Sequence, residues 1–214
     1  NPPIMFTQEI EGVTKYHLHH KSTKADSRWN ISAINSWRTL LYQLQLIGQQ
    51  EDRYLGYGYG NISQRMQAEK FLISGTQTGG IAELSKDNYC LVEAADLINN
   101  TLYSTGPCKP SSEALSHASI YTQDNNIQCI IHAHNPEIWR ATQALKLAYT
   151  GKDIAYGTPD MAHAITDLFN SGQLKHQSIF TMLGHEDGIF SFAENFPQAA
   201  FAMINTLAYA RQLK

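Results

Sequence analysis

The sequence predicts a single α/β or α+β domain, and three observations carry that reading. Short apolar runs bounded by turn residues alternate with longer stretches of helical spacing. No internal repeat, low-complexity linker or shift in composition divides the chain. The 214 residues also suffice to bury most of their apolar surface in one core without cross-links. The connections look too irregular for a strict βαβ repeat. No GxGxxG follows the first strand and no GxxxxGK[ST] occurs anywhere, so nucleotide-binding folds have little support.

The elements follow in order. "EGVTKYHLHHK" alternates weakly, as a strand does, and "STKADSR" after it reads as a loop. Over residues 30–50, apolar side chains at Ile34, Trp37, Leu41, Leu44 and Ile47 have helical spacing, with Asn30 or Ser32 as the N-cap. A Gly- and Tyr-rich stretch at 54–60 leads into "NISQRM". "KFLIS" at 70–74 reads as a short buried strand and "GTQTGG" at 75–80 as a turn. "NYCLVEA" is a strand, and "TGPCKP" breaks the chain. From Ser111, "SSEALSHASIYTQ" is helical, capped by Ser111 or Ser112. "IQCIIHAH" is a strand, and Asn135-Pro136 starts a helix with proline in its first turn. "YGTPDMAHAITDLF" is turn then helix, "SIFTMLGH" an apolar strand before the turn "EDG", and "PQAAFAMINTLAYARQL" a closing helix.

Composition excludes several classes. The net charge is −3, and no Lys/Arg run marks a nucleic-acid surface. Cys90, Cys108 and Cys129 are an odd set without CxxC spacing, which argues for a reducing compartment and against a disulfide scaffold. No apolar run approaches the ~18 residues of a membrane span. "NPPIMFTQEIEG" lacks a basic-then-apolar targeting layout. The expectation is a cytoplasmic protein without nucleic-acid or membrane partners.

The chemistry gathers on histidines. Residues i and i+2 of a strand share a face, so His132 and His134 present both rings on one side, with Cα atoms about 6.5–7 Å apart. A lone pair of this kind more often packs than binds. His185 shifts the balance, because it too follows an apolar strand and precedes a turn. Three histidines with an open fourth position is the layout of a catalytic zinc. In "KPSSEALSHASIY", Glu113 and His117 are four apart and share a helix face. Free N–H groups at that helix start, with the Ser111 and Ser112 hydroxyls, suit a phosphate. Glu113 in the first turn also suits the helix dipole alone. His117 reads as a fourth ligand, a second-layer partner or a core residue, with the last two favoured. The glycine turns at Gly60-Asn61 and at Ser74-Gly75-Thr76 allow close backbone approach to an oxyanion, or are ordinary turns.

Taken in order, "GNISQRM", "FLISGTQTGG", "KPSSEALSHASIY", "IIHAH" and "GHEDGI" resemble the class II aldolase/adducin N-terminal family, from about Trp29 to the C-terminus. That family includes fuculose-1-phosphate aldolase, ribulose-5-phosphate 4-epimerase and the adducin head. The resemblance implies one domain over 1–214 with residues 1–28 as an extension, a three-layer α/β/α fold around a largely antiparallel sheet, and a homotetramer. It implies a zinc-dependent carbon–carbon lyase acting on a small phosphorylated ketose through an enediolate, or an epimerase, dehydratase or non-catalytic module built on the same site. His132, His134 and His185 correspond to the metal ligands, and Glu113 to the carboxylate that ligates at rest and moves protons in turnover. Gly60, Asn61, Ser74, Gly75, Ser111 and Ser112 correspond to the phosphate cradle. One Zn2+ per chain is implied; Mn, Fe, Co or Ni also suit such donors. Two departures stand out. Glu186 follows His185 where many members have glycine. In "DIAYGT", Asp153 falls where the aldolases carry a catalytic tyrosine, and Tyr156 is the nearest substitute. His17 and His19 share a strand face and read as exposed.

Overall fold

A computed structural model describes residues 11–214; the reading of the first ten residues for a targeting layout lies outside the described residues. The chain begins with β1 (His17–Ser22) and α1 (Ser32–Gln43), then β2 (Asn61–Gln67), β3 (Lys70–Ser74), β4 (Tyr89–Asp96) and β5 (Thr101–Gly106). Next come α2 (Ala114–Gln123), β6 (Cys129–His134), α3 (Pro136–Arg140) and β7 (Ala148–Thr150). It closes with α4 (Pro159–Asn170), β8 (Ile179–Met182), β9 (Gly188–Ala193) and α5 (Phe196–Gln212). The strands make one nine-stranded sheet in the order β1-β5-β4-β3-β2-β6-β9-β8-β7. Among the described residues only the outermost pairs, β1 with β5 and β7 with β8, are parallel. The sheet is therefore largely antiparallel, as expected.

Side-chain alternation along β6 sorts the core into two layers. Ile131 and Ala133 face Ile34 and Leu41 of α1, Ile138 of α3 and Met203 of α5. Ile130 faces the other way, into a cluster with Leu115 and Ile120 of α2, Ile165 of α4 and Phe190 of β9. Helices thus cover both faces of the sheet. The row begun by Ile130 continues, two residues at a time, to His132 and His134. Both rings therefore stand on the α2 side, at the strand's C-terminal end.

Local chemistry explains the helix starts. The Asn135 side chain accepts the Ile138 N–H at 2.9 Å, and Thr158 accepts that of Met161 at 3.3 Å. Asn30 accepts the Ser32 N–H at 3.0 Å ahead of α1. The helix expected to reach residue 50 stops at Gln43. Gln45 turns the chain with φ of 59°, and the Leu46 N–H reaches back to the Leu41 carbonyl at 3.0 Å. Leu46 and Ile47 are then fully buried outside the helix. Gly60, at φ +82°, fits against this turn: a Cβ there would lie 2.7 Å from Ile47 Cγ1. Strands β5, β7 and β9 are additional to the expected elements.

Arg38 of α1 is 1% exposed and, among the described residues, has no carboxylate beside it. Its guanidinium donates instead to main-chain carbonyls of the loop after β3: Thr78 at 2.9 Å, Gly79 at 3.2 Å, Ala82 at 3.1 Å, and Ile81. The fork of donors matches these carbonyls and holds that loop against the helix. Among the described residues no helix is long and apolar enough to cross a membrane.

Candidate metal centre

His132 and His134 bring their Nε2 atoms within 3.2 Å of each other. A tetrahedral ion with Zn–N bonds near 2.0–2.1 Å separates its ligand nitrogens by about 3.3–3.4 Å, so this spacing fits a shared cation. His185 arrives from the turn after β8; its ring centroid lies 5.5 Å from that of His132 and 4.7 Å from that of His134. The fourth member is Glu11, from the N-terminal segment. Its Oε1 lies 3.4 Å from His134 Nε2, and its Oε2 accepts from His185 Nε2 at 2.5 Å. One ligand atom from each of Glu11, His132, His134 and His185 falls within 4.8 Å of the others, and all four residues are buried. Glu113 flanks the group, with Oε1 3.5 Å from His132 Nε2 and 3.2 Å from His185 Nδ1.

The donor set fits a divalent cation on an independent ground. Glu113 is 1% exposed, yet its carboxylate oxygens have no well-aligned hydrogen-bond donor; the nearest group is His185 Nδ1 at 3.2 Å, and His134 Nδ1 also lacks an aligned partner. Burying a carboxylate without donors is costly, and a cation among three imidazoles and two carboxylates removes that cost. Imidazole and carboxylate donors suit zinc and its first-row neighbours.

Positioning comes from the neighbours. His132 Nδ1 donates to the Ile189 carbonyl of β9 at 3.1 Å, which leaves Nε2 for the centre. Tyr54 packs edge-on against His134, with centroids 4.8 Å apart, and donates to Asp187 at 2.5 Å. Glu186, which the sequence left undecided, is exposed; Asp187 turns inward in its place. Tyr156 is fully buried and stacks on His185 at 4.6 Å. Its hydroxyl donates to the Val13 carbonyl at 2.9 Å and accepts the Val13 N–H at 3.1 Å. That hydroxyl ties the N-terminal segment to the site.

The expected phosphate cradle largely comes together. Gly60, Asn61, Gly75, Ser111 and Ser112 line one small polar cavity with Thr76, Gly58 and Gln77. Ser74 stands behind it, its hydroxyl accepting the Ile62 N–H at 3.2 Å. Asn61 is oriented by a buried relay. Tyr121 donates to Ser63 at 2.8 Å, Ser63 to His117 Nδ1 at 2.7 Å, and His117 Nε2 to Asn61 Oδ1 at 2.5 Å. With its oxygen engaged, Asn61 has its amide N–H left to donate. His117 is thus a core residue that positions a cradle residue. A cleft of about 390 Å³ opens on the other side of the centre, among Glu11, Tyr54, Trp139, Lys152, His185 and Glu186. A larger groove, about 720 Å³ near Phe169 and Phe192, lies at the opposite end of β6 and β9.

Burial and charge set opposite protonation states. Burial holds His117 and His134 well below the ordinary histidine pKa; it also lowers His132, with Glu113 opposing. For His185 burial disfavours charge, but Glu11 and Glu113 outweigh it and raise the pKa well above normal. For Glu11 burial favours the neutral form, but His134 and His185 outweigh it and hold the carboxyl well below its usual range. The three depressed histidines refuse protons that the unfolded chain accepts below pH ~6.5. The stability His185 adds is complete below that pH and is lost as pH rises through its folded value. Each of the three costs about 1 kcal/mol between pH ~6.5 and ~5.5 while His185 gives back only a few tenths, so the metal-free protein loses roughly 2–3 kcal/mol of stability over that interval. Urea denaturation of the chelator-treated chain at both pH values measures this; equal or greater stability at the lower pH contradicts the neutral assignments.

Glu11, Tyr54, Asp187 and Gln77 were not legible as site residues. Glu11 meets partners more than a hundred positions away, and nothing in "EIEGV" distinguishes it from a surface carboxylate.

Comparison with known proteins bears on this geometry. Residues 49–213 match the family model described as the Class II Aldolase and Adducin N-terminal domain. No curated protein matches the chain. Among solved structures, L-fuculose-1-phosphate aldolase from Thermus thermophilus superposes with a TM-score of 0.60 at 17% identity, covering 84% of this chain and 89% of that one. A sugar-phosphate aldolase from Thermotoga maritima gives 0.62 at 14% identity, over 84% and 91%. YgbL from Klebsiella pneumoniae, whose description spans aldolase, epimerase and decarboxylase, gives 0.60 at 16% identity, over 83% and 84%. At these identities the likeness concerns the fold.

Proposed function

The chain belongs to the Class II Aldolase and Adducin N-terminal domain family, and on that premise we propose that it is a metal-dependent aldolase cleaving a carbon–carbon bond in a small phosphorylated ketose. The observation that carries this is the adjacency of a buried three-histidine, two-carboxylate cluster to a glycine- and serine-lined cradle. His132, His134 and His185 hold the cation, with Glu11 or Glu113 beside them. Once bound, a divalent ion there supplies Lewis-acid polarisation of a carbonyl.

The remaining work falls to the chain's own groups. Ser111, Ser112, Gly60, Gly75 and the Asn61 amide bind the phosphate, with Ser74 supporting them, and so fix which carbon faces the histidines. Glu113, within 3.5 Å of His132 Nε2, takes a proton from the substrate and returns it. The cleft beside Trp139 and Lys152 receives the aldehyde end. Tyr156 supports the site through its ring on His185. Zinc as the ion, a homotetramer and a cytoplasmic location belong to the same reading; free thiols at Cys90, Cys108 and Cys129 agree with a reducing compartment.

One observation favours a second reading. With Glu11 counted, four protein ligands surround the centre, as in structural zinc sites, and a non-catalytic module like the adducin head follows. The test is product analysis of the zinc-loaded full chain with a panel of ketose 1-phosphates. We expect an aldehyde and a triose phosphate. Epimer formation or dehydration without cleavage replaces the reaction while keeping the site, and no turnover at full metal loading supports the module.

A further inference from the structure

Glu11 lines both the cradle cavity and the open cleft, and so forms the wall between them. A phosphorylated ketose reaching from the cradle to the cleft has to pass where its carboxylate stands. The cradle itself has about 10 Å³ of room, enough for one water at most and too little for a phosphate. What fills it is the chain. Gly12, at φ +74°, presses so closely on Gln77 that a Cβ there would lie 1.9 Å from Gln77 Nε2.

The segment carrying Glu11 is held by side-chain contacts rather than by sheet pairing. Val13 exchanges two hydrogen bonds with the Tyr156 hydroxyl, and Tyr16 donates to the Ser111 carbonyl at 2.7 Å. The Lys15 ammonium lies 3.9 Å over the Tyr156 ring, and its carbonyl accepts from Asn100 at 3.0 Å. Val13 and Thr14 are exposed, and sheet pairing begins only at His17. The segment lies outside the sheet, so it can leave without breaking strand pairing; what it gives up is the Glu11–His185 contact and the packing of Tyr16, which the incoming substrate's oxygens have to offset.

We propose that residues 11–16 are a built-in occupant of the substrate cleft. Glu11 takes the place of the substrate's oxygen donors, the Gly12 turn fills the phosphate cradle, and the substrate's phosphate displaces both. This rests on the metal and cradle roles given above. It makes substrate entry a competition within the chain and gives Tyr156 the part of a latch.

Titration of inorganic phosphate into the zinc-loaded full chain, with amide exchange followed over residues 13–16, tests it. Gly12→Ala and Tyr156→Phe each loosen the strap from a different side. Both are expected to tighten phosphate binding about five- to tenfold, the scale of one or two lost hydrogen bonds. Phosphate is expected to speed exchange at 13–16 in the wild type. Unchanged or weaker phosphate affinity in both variants, with one zinc per chain retained, overturns the strap and leaves the metal reading standing. Absence of phosphate binding in every variant overturns the strap and the cradle together. Loss of zinc from His132→Ala reports on the metal reading alone.

Discussion

His132→Ala is expected to abolish stoichiometric metal binding. His132 is fully buried, with its Nδ1 tied to the Ile189 carbonyl and its Nε2 3.2 Å from that of His134. It therefore cannot be replaced by a neighbouring ring without moving β6 or β9. Four-ligand zinc sites hold about 10–16 kcal/mol, so one lost ligand removes about 3 kcal/mol, a hundredfold or more in affinity. Metal content after dialysis should fall from near one per chain to a small fraction, and turnover with it. His19→Ala, on the exposed edge strand, is the control and should keep its metal. Stoichiometric zinc in the His132 variant sinks the ligand assignment.

Glu113→Gln is expected to keep the metal and lose the reaction. Glutamine has nearly the same shape but cannot accept the substrate's proton, and general base catalysis of this kind is worth about 10² to 10⁴ in rate. The three histidines and Glu11 remain to hold the cation. Measured together, kcat and metal content per chain separate two roles that lie only ångströms apart. If Glu113→Gln loses metal while Glu11→Gln retains it, Glu113 is itself a resident ligand as well as the proton carrier.

How much of this was legible depended on how local each signal is. The period of two along "CIIHAH" puts His132 and His134 on one face, and the structure places that face towards α2, where Glu113 sits. His185 was legible because its strand ends as β6 does. The helix after Ser111 and the glycine turns carry their chemistry in adjacent residues, so the cradle could be read from short stretches. The misses are tertiary. Apolar spacing through Ile47 looks like continued helix, yet burial against Gly60 is better served by a turn after Gln43. "TLYSTG" and "GIFSFA" are short and adjoin turn residues, so their alternation does not stand out from the turns. Glu11 is the clearest case: its role exists only because β1 pairs with β5 and so brings the preceding residues back across the sheet's end.

Arg38 has a consequence for how such a protein diversifies. Its guanidinium grips only main-chain oxygens of Thr78, Gly79, Ile81 and Ala82. The grip is blind to side-chain identity, since every residue type offers the same carbonyl. Thr76, which faces the cradle just upstream, is therefore free to vary without unfastening the loop. Gln77 and Gly79 are more constrained: Gln77 has φ of 55° and its side chain accepts the Gly58 N–H at 3.0 Å, and a Cβ at Gly79 would lie 2.4 Å from the Gly48 carbonyl oxygen. A single fastening to the main chain thus leaves a neighbouring position open to drift, and substrate preference can change there while the scaffold keeps its shape.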